Sequence, residues 1–107
     1  MRTHYDLDER SLRLHRLIAE KLRREPQRFA MVQATLAHWQ QVVDPRAQPY
    51  VQSWQELARQ GMQACLEAAV QPTEQGQALR QASPFAGVLT HKERFAFFRE
   101  WAQERQP

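Results

Sequence analysis

Apolar residues recur every three or four positions along most of the chain, which is the spacing of an amphipathic α-helix. The clearest stripe steps by 3, 4, 3 and 4 residues and consists of Phe29, Val32, Leu36, Trp39 and Val43. Polar side chains, among them Gln33, His38 and Gln41, fall on the opposite face. The pattern predicts a helix from about Gln27 to Asp44 with the apolar stripe in the core.

A second amphipathic segment precedes this helix. Leu14, Ile18 and Leu22 form an i, i+4, i+8 row, which predicts a helix over residues 8–24. The helix should end before Pro26, because proline disfavours helical geometry in the residue that precedes it. Its other side carries several arginines.

A third apolar stripe persists from Pro49 to Val70 and includes Trp54, Leu57 and Cys65. Gly61 lies on the same side and costs about 1 kcal/mol relative to alanine inside a helix. Two interpretations follow, a single helix with a kink at Gly61 or a break that divides the segment in two. We favour the single helix.

The last third of the chain carries two helix-start signals. Thr73 can cap a short helix that runs through Ala82. Residues 90–93, Thr-His-Lys-Glu, form a capping box in which the threonine and the glutamate satisfy each other's backbone donors. The final helix follows this box, and Phe95, Phe98 and Ala102 are predicted to form its core-facing row.

The composition supports an all-α fold. The chain has 107 residues, of which 42% are hydrophobic and 25% charged, as in soluble globular proteins of one domain. Three glycines are few for a turn-rich β architecture, and no segment predicts a strand. We therefore expect a compact bundle of four to five helices forming one domain over residues 1–107. An ordered Ser-Pro-Phe-Ala-Gly loop, within residues 83–89, should pack on the core before the last helix.

No apolar run approaches the roughly 20 residues that cross a bilayer, and the first residues lack the apolar core of a signal peptide. Cys65 is the one cysteine, so no disulfide can form within the chain. These observations favour a cytoplasmic protein without a membrane partner.

Candidate catalytic groups are few. Cys65 lies within an apolar stripe, whereas reactive thiols occupy exposed, electropositive surroundings. No two of the four histidines have the i, i+3 or i, i+4 spacing of helical metal ligands, and no glycine-rich phosphate loop occurs. His15 is best interpreted as a hydrogen-bonded core histidine. We predict no enzymatic activity, no metal and no cofactor, and keep a small enzyme that uses His15 and Arg80 as a minor alternative.

The positive charge is concentrated at the start of the chain. The formal net charge is +3, and residues 1–28 hold eight Lys or Arg against five acids. Arg13, Arg16, Arg23 and Arg24 cluster on one side of the first helix. A solvated helix face is the simpler interpretation. The alternative is a transcriptional regulator that binds nucleic acid through these arginines, although the acids dilute the patch and weak binding is expected.

An aromatic cluster marks the last helix. Phe95, Phe97, Phe98 and Trp101 occupy seven residues, a wider apolar arc than one neighbouring helix covers. Arg94 lies within the arc, and aromatic residues with arginine are enriched at interaction hot spots. We predict a partner-binding surface centred on Arg94, Phe97 and Trp101. Arg80 is predicted to lie at the rim of this surface. The alternative is that its guanidinium donates hydrogen bonds to carbonyls of the loop that follows it.

The run from Ala78 to Thr90, Ala-Leu-Arg-Gln-Ala-Ser-Pro-Phe-Ala-Gly-Val-Leu-Thr, followed by Glu-Arg-Phe at 93–95, resembles a signature of small bacterial all-helical proteins. Leu14, His15, Leu22, Trp39, Tyr50 and Trp54 match the same pattern, whereas Ala82 replaces the usual serine. These proteins resemble accessory or antitoxin-type components of two-gene toxin–antitoxin or defence modules.

The resemblance implies no defined biochemical activity. Together with the surplus aromatic residues, it predicts a non-enzymatic module that binds and modulates an effector or toxin protein. A homodimer is compatible with this interpretation.

Overall fold

The computed structural model describes residues 4–42 and 48–106, which form six α-helices and no strand. In chain order the helices are α1 (His4–Arg24), α2 (Phe29–Val42), α3 (Gln48–Gln60), α4 (Met62–Ala69), α5 (Glu74–Gln81) and α6 (His91–Glu104). A single 3₁₀ turn, Pro26–Arg28, joins α1 to α2. The all-α prediction is confirmed for the described residues, and the predicted end of the second helix at residues 43–44 lies outside them.

Helix α1 begins at His4, four residues earlier than the periodicity predicts, and ends where proline requires. The backbone N–H of Glu25 still donates to the Lys21 carbonyl at 2.8 Å, but Glu25 itself has left helical geometry. This is the conformation that Pro26 imposes on the residue before it. Ile18 and Leu22 are buried, as the i, i+4 row predicts.

Gly61 divides the predicted third helix, so the expectation of one kinked helix is wrong. Its φ is +126°, a conformation that residues with a Cβ rarely adopt. The Gly61 N–H closes the last turn of α3, because it donates to the carbonyls of Leu57 and Ala58, each at 3.1 Å. The chain then changes direction into α4, which raises the helix count above the predicted four to five.

The core forms where α1, α2, α3 and α4 meet the segment before α6. Trp54 is fully buried, and its indole N–H donates to the Leu79 carbonyl at 3.1 Å. Phe85 is also fully buried and packs edge-on against Trp54, with ring centroids 5.2 Å apart. These two rings tie residues 83–89 to the centre of the molecule, where Val88 and Leu89 are buried too.

The stripe of α2 faces this core. Phe29, Val32 and Leu36 are buried, and Trp39 packs against the cluster while remaining partly exposed. Val43, the last predicted member, lies outside the described residues.

Both predicted caps are present. The Thr73 hydroxyl accepts from the Gly76 N–H at 3.1 Å and begins α5. At α6, Thr90 and Glu93 complete the reciprocal capping box. Three backbone donors at the helix starts, the N–H groups of Gly76, Thr90 and Glu93, therefore have side-chain acceptors.

The predicted core-facing row of α6 is wrong at Phe95 and Ala102, whereas its third member, Phe98, is half-buried. Phe95 is 64% exposed and Ala102 is exposed, whereas Trp101 is only 3% exposed. The buried arc is centred on Trp101 and flanked by Arg94, Phe97 and Phe98, which lie at i−7, i−4 and i−3 from it. Arg10, Arg13 and Lys21 of α1 contact α6 at Phe98, Trp101 and Glu93, on the side away from Phe95, which faces solvent.

Candidate protein-binding groove between α1 and α6

Two ion pairs hold α6 along α1. Lys21 Nζ lies 2.6 Å from Glu93 Oε1, and Arg13 Nη1 lies 2.8 Å from Glu104 Oε2. Lys21 is near the end of α1 and pairs with Glu93 near the start of α6, whereas Arg13 lies in the middle of α1 and pairs with Glu104 at the end of α6. The two helices therefore run antiparallel.

The Lys21–Glu93 pair is the more buried of the two. The Lys21 side chain is 4% exposed, and the Glu93 side chain is 38% exposed. Glu93 Oε1 also accepts from the Thr90 N–H at 2.8 Å, so one carboxylate serves both the cap and the pair. The hydrogen bond from Lys21 and the capping bond from Thr90 lower the pKa of Glu93 to about 2.

Arginine side chains also lie over the aromatic rings at the contact between α1 and α6, which we call the seam. The Arg10 guanidinium lies 5.1 Å from the centre of the Phe98 ring. Arg13 and Arg105 lie 5.3 and 3.2 Å from the Trp101 ring. Such contacts stabilise by about 0.5–1 kcal/mol where exposed and by more where water is excluded. Three cationic side chains of α1, those of Arg10, Arg13 and Lys21, therefore contact α6, whereas Arg105 directly follows α6 in the chain.

Beside this seam, α1 and α6 leave an open groove of about 480 Å³. Its apolar lining residues, called the floor below, are Leu17, Ala96 and Phe97. Its charged lining residues, called the rims below, are Arg13, Arg16, Glu20, Glu93 and Glu100. Phe97 is half-buried and packs edge-on against Phe98, with centroids 5.4 Å apart. One side of the Phe97 ring is thus supported, and the other lines the groove.

Three of the rim charges, Arg16, Glu20 and Glu100, make no ion pair in the described part of the chain, and the first two share the α1 rim. Arg16 and Glu20 are exposed and lie one helical turn apart on α1. Within the described part of the chain neither makes an ion pair, whereas Arg13 and Glu93 are held as described above. The groove therefore presents one unneutralised base and one unneutralised acid along the same rim.

The predicted partner surface is only partly assembled in one place. Phe97 lines the groove, but Trp101 is buried beneath α6 and cannot contact a partner directly. Arg94 is half-buried and donates from Nη1 to the Ala86 carbonyl at 3.1 Å, which fixes α6 to the preceding loop.

Arg80 does not lie at an exposed rim, because it is 6% exposed. Its Nη1 donates to the carbonyls of Ala69 and Gln71 at 3.2 and 2.6 Å. Arg80 therefore binds backbone carbonyls, but these are the last carbonyl of α4 and one of the α4–α5 connection, not carbonyls of residues 83–89 as the alternative expected. Burial lowers the pKa of the Arg80 guanidinium, and the negative charge of Asp8 opposes this effect.

The predicted nucleic-acid face is divided. Arg13 pairs with Glu104, and Arg16 faces the groove beside Glu20. Arg23 and Arg24 are exposed at the end of α1. The four arginines therefore do not form one uninterrupted cationic surface.

His15 is a buried, hydrogen-bonded core residue, as predicted. Its Nδ1 lies 2.7 Å from the Ser11 carbonyl, which can only accept, so Nδ1 carries the proton. Its Nε2 then accepts from the Ser83 hydroxyl at 2.8 Å, and Ser83 Oγ accepts from the Phe85 N–H. Burial lowers the pKa of His15, which keeps the ring neutral. This chain of bonds fixes the segment before α6 to α1.

Neither a reactive thiol nor a cluster of metal ligands occurs in the described residues. Cys65 is fully buried, and burial raises the pKa of its thiol to about 11. Within residues 4–42 and 48–106 no three acidic, histidine or cysteine side chains come together as metal ligands. No helix in that part of the chain is long and apolar enough to cross a membrane.

Comparisons with family models, curated proteins and solved structures find no match to the chain. The groove must therefore be interpreted from its own residues. Sequence reasoning missed Leu17, Ala96 and the rim acids Glu20, Glu93 and Glu100. The i, i+3, i+4, i+7 spacing of Arg94, Phe97, Phe98 and Trp101 was the available signal for the orientation of α6.

Proposed function

We propose that the chain is a non-enzymatic protein-binding module, an antitoxin-like or accessory cytoplasmic subunit that binds and modulates an effector protein. The observation that carries the proposal is the α1–α6 groove, in which a half-buried phenylalanine, Phe97, lies between charged rims. Aromatic anchors surrounded by polar rims contribute most of the binding energy at protein interfaces.

The occupant that fits this groove best is an amphipathic helix of the partner. The α6 residues that line it extend from Glu93 to Glu100, about 10 Å along the helix axis and close to two helical turns. Two antiparallel helices with an apolar floor between them offer the helix-in-groove mode of recognition. Apolar residues at i, i+3 and i+4 of the partner would cover Leu17 and Phe97.

The rim charges determine which helix binds. Arg16 favours an acidic side chain on the partner, and Glu20 favours a basic side chain one turn further along. A helix with the reverse order would place like charges opposite each other. Like charges placed opposite each other at an interface are strongly unfavourable, so the rim selects against a helix with the wrong charge order.

The test uses four purified, tagged proteins in an extract of the organism that encodes the chain. They are the wild type, Phe97→Ala, the charge exchange Arg16→Glu with Glu20→Lys, and the matched control Phe95→Ala. Phe95 is an exposed aromatic residue of the same helix outside the groove lining. The charge exchange keeps the net charge constant, and thermal melts establish that each protein is folded.

We expect one protein to be captured by the wild type and the Phe95 variant, with at least about ten-fold loss in the other two. Addition of the chain to the purified captured protein should change its activity, and the charge exchange should abolish that change. Equal capture by all four folded proteins would contradict the groove assignment. Self-association alone would indicate a homodimer interface instead.

Nucleic-acid binding through Arg13, Arg16, Arg23 and Arg24 remains the alternative proposal. The engagement of Arg13 by Glu104 and the acids between these arginines argue against it. Labelled DNA and RNA should bind weakly and lose affinity steeply with salt. A tight, sequence-specific complex at physiological salt would make the alternative the better account.

A further inference from the structure

A second concave site lies on another flank of α1, where α1 meets α5 and the connection that leads into it. This cleft has a volume of about 390 Å³, within the range of small-molecule sites. Its lining includes Asp8, Glu9, Thr73, Glu74, Gln77 and Arg80. It shares no lining residue with the α1–α6 groove, so inferences about it do not rest on the proposed function.

The base of the cleft holds a buried cation with unused donors. Arg80 is 6% exposed, and its Nη1 makes both of its hydrogen bonds, to the carbonyls of Ala69 and Gln71. Its Nε is buried and has no hydrogen-bond partner in the described part of the chain. A buried donor without an acceptor is unfavourable, and Nε with Nη2 forms the edge that matches the two oxygens of a carboxylate.

Acidic side chains surround the same cleft. Asp8 and Glu9 come from α1, and Glu74 comes from the first turn of α5. Asp8 is oriented by Gln77, whose Nε2 donates to Asp8 Oδ2 at 2.6 Å, and it makes no ion pair with Arg80. The cleft therefore presents a cation at its base and separate carboxylates around it.

This charge arrangement selects among ligand classes. A simple anion would satisfy Arg80 but would be repelled by three carboxylates. A simple amine would satisfy the carboxylates and leave the Arg80 edge unpaired. A molecule with both a carboxylate and an ammonium group satisfies both sets.

We propose that this cleft binds a small zwitterion of the α-amino-acid class. The ligand carboxylate pairs with the Nε–Nη2 edge of Arg80, and its ammonium group lies among Asp8, Glu9 and Glu74. Because Nε is covered by its neighbours, binding requires a shift of the side chains that line the cleft. The cleft volume limits the ligand to about the size of one amino acid.

The experiment is a titration of the ¹⁵N-labelled full chain with glycine, alanine and glutamine, with acetate and methylammonium as single-charge probes. The signals followed are the Arg80 side-chain Nε–H and the backbone amides of Thr73 and Gln77. We expect saturable shifts for at least one amino acid at concentrations up to about 10 mM. Acetate and methylammonium should bind at least about ten-fold more weakly.

Variants separate the site from general charge effects. Asp8→Asn and Glu74→Gln should each weaken amino-acid binding, whereas Glu67→Gln, an exposed carboxylate outside the cleft lining, should leave it unchanged. Arg80→Lys should abolish the preference for zwitterions over methylammonium. Because Arg80 also holds two carbonyls, the Asp8 and Glu74 variants carry the test if Arg80→Lys does not fold. Absence of saturable shifts with every amino acid, or equal binding of acetate or methylammonium, would overturn the proposal.

Discussion

The ion pair between Lys21 and Glu93 offers the sharpest test of how α6 is held against α1. Glu93→Gln removes the negative charge but retains a residue that completes a capping box. It leaves the Lys21 ammonium, whose side chain is 4% exposed, without its anionic partner. The variant therefore separates the ion pair from the helix cap.

The magnitude follows from the depressed pKa of Glu93. A pKa of about 2, against an ordinary value of 4.5, corresponds to about 3 kcal/mol of differential stabilisation at neutral pH. Part of this shift comes from the capping bonds with Thr90, and the Glu93 side chain is 38% exposed, so the share of the Lys21 ion pair after solvent screening is about 1–2 kcal/mol. The contribution is present above pH 4.5 and is lost as the pH falls towards 2, because the unfolded carboxylate takes up its proton first.

Lys21→Met provides the matched comparison, because methionine has a similar length and no charge to leave unpaired. We expect it to change the free energy of unfolding by less than about 1 kcal/mol. The double variant should be close to Lys21→Met, which gives a coupling energy of about 1–2 kcal/mol. Urea denaturation followed by circular dichroism at pH 7 measures all four proteins. A loss below about 0.5 kcal/mol for Glu93→Gln, or no rescue in the double variant, would refute the reasoning.

Three further predictions concern single residues. Burial lowers the pKa of His15, so the free energy of unfolding should fall as the pH drops below about 6.5, where the unfolded ring gains a proton. Thermal melts of His15→Gln over the same pH range should lack this decrease. Gly61→Ala should destabilise by about 1–2 kcal/mol because of its positive φ, whereas Gly87→Ala, at an exposed position, should cost less in the same denaturation assay. Trp101→Ala should cost about 3–5 kcal/mol and Phe97→Ala about 1–2 kcal/mol; equal losses would mean that Phe97 is part of the core.

The features that could be predicted from the sequence are those set by neighbouring residues. Pro26 ends α1, Thr73 begins α5, and Thr90 with Glu93 forms a capping box, because each depends on residues a few positions away. The stripe of α2 also faces the core as its period requires. Helical repeats and caps are local, so one sequence suffices to place them.

The predictions that were wrong concern features that depend on tertiary contacts with distant parts of the chain. Gly61 was compatible with a kink or a break, and its positive φ depends on where α4 must pack. The aromatic helix offered two apolar rows, and α1 covers the row that contains Trp101 while Phe95 faces solvent. The buried Arg80 donates to the last carbonyl of α4 and to a carbonyl of the α4–α5 connection, and no local pattern reveals this pairing.

The most direct test of the groove is photo-crosslinking in the living host with p-benzoylphenylalanine at position 97, and at position 95 as the matched control. Phe97 lines the groove, and Phe95 is 64% exposed outside it. We predict that position 97 cross-links to one other protein, within a segment whose apolar residues recur at i, i+3 and i+4, and that position 95 does not. Equal cross-linking from both positions, or a product at position 97 that contains only this chain or nucleic acid, would contradict a groove that binds a partner helix.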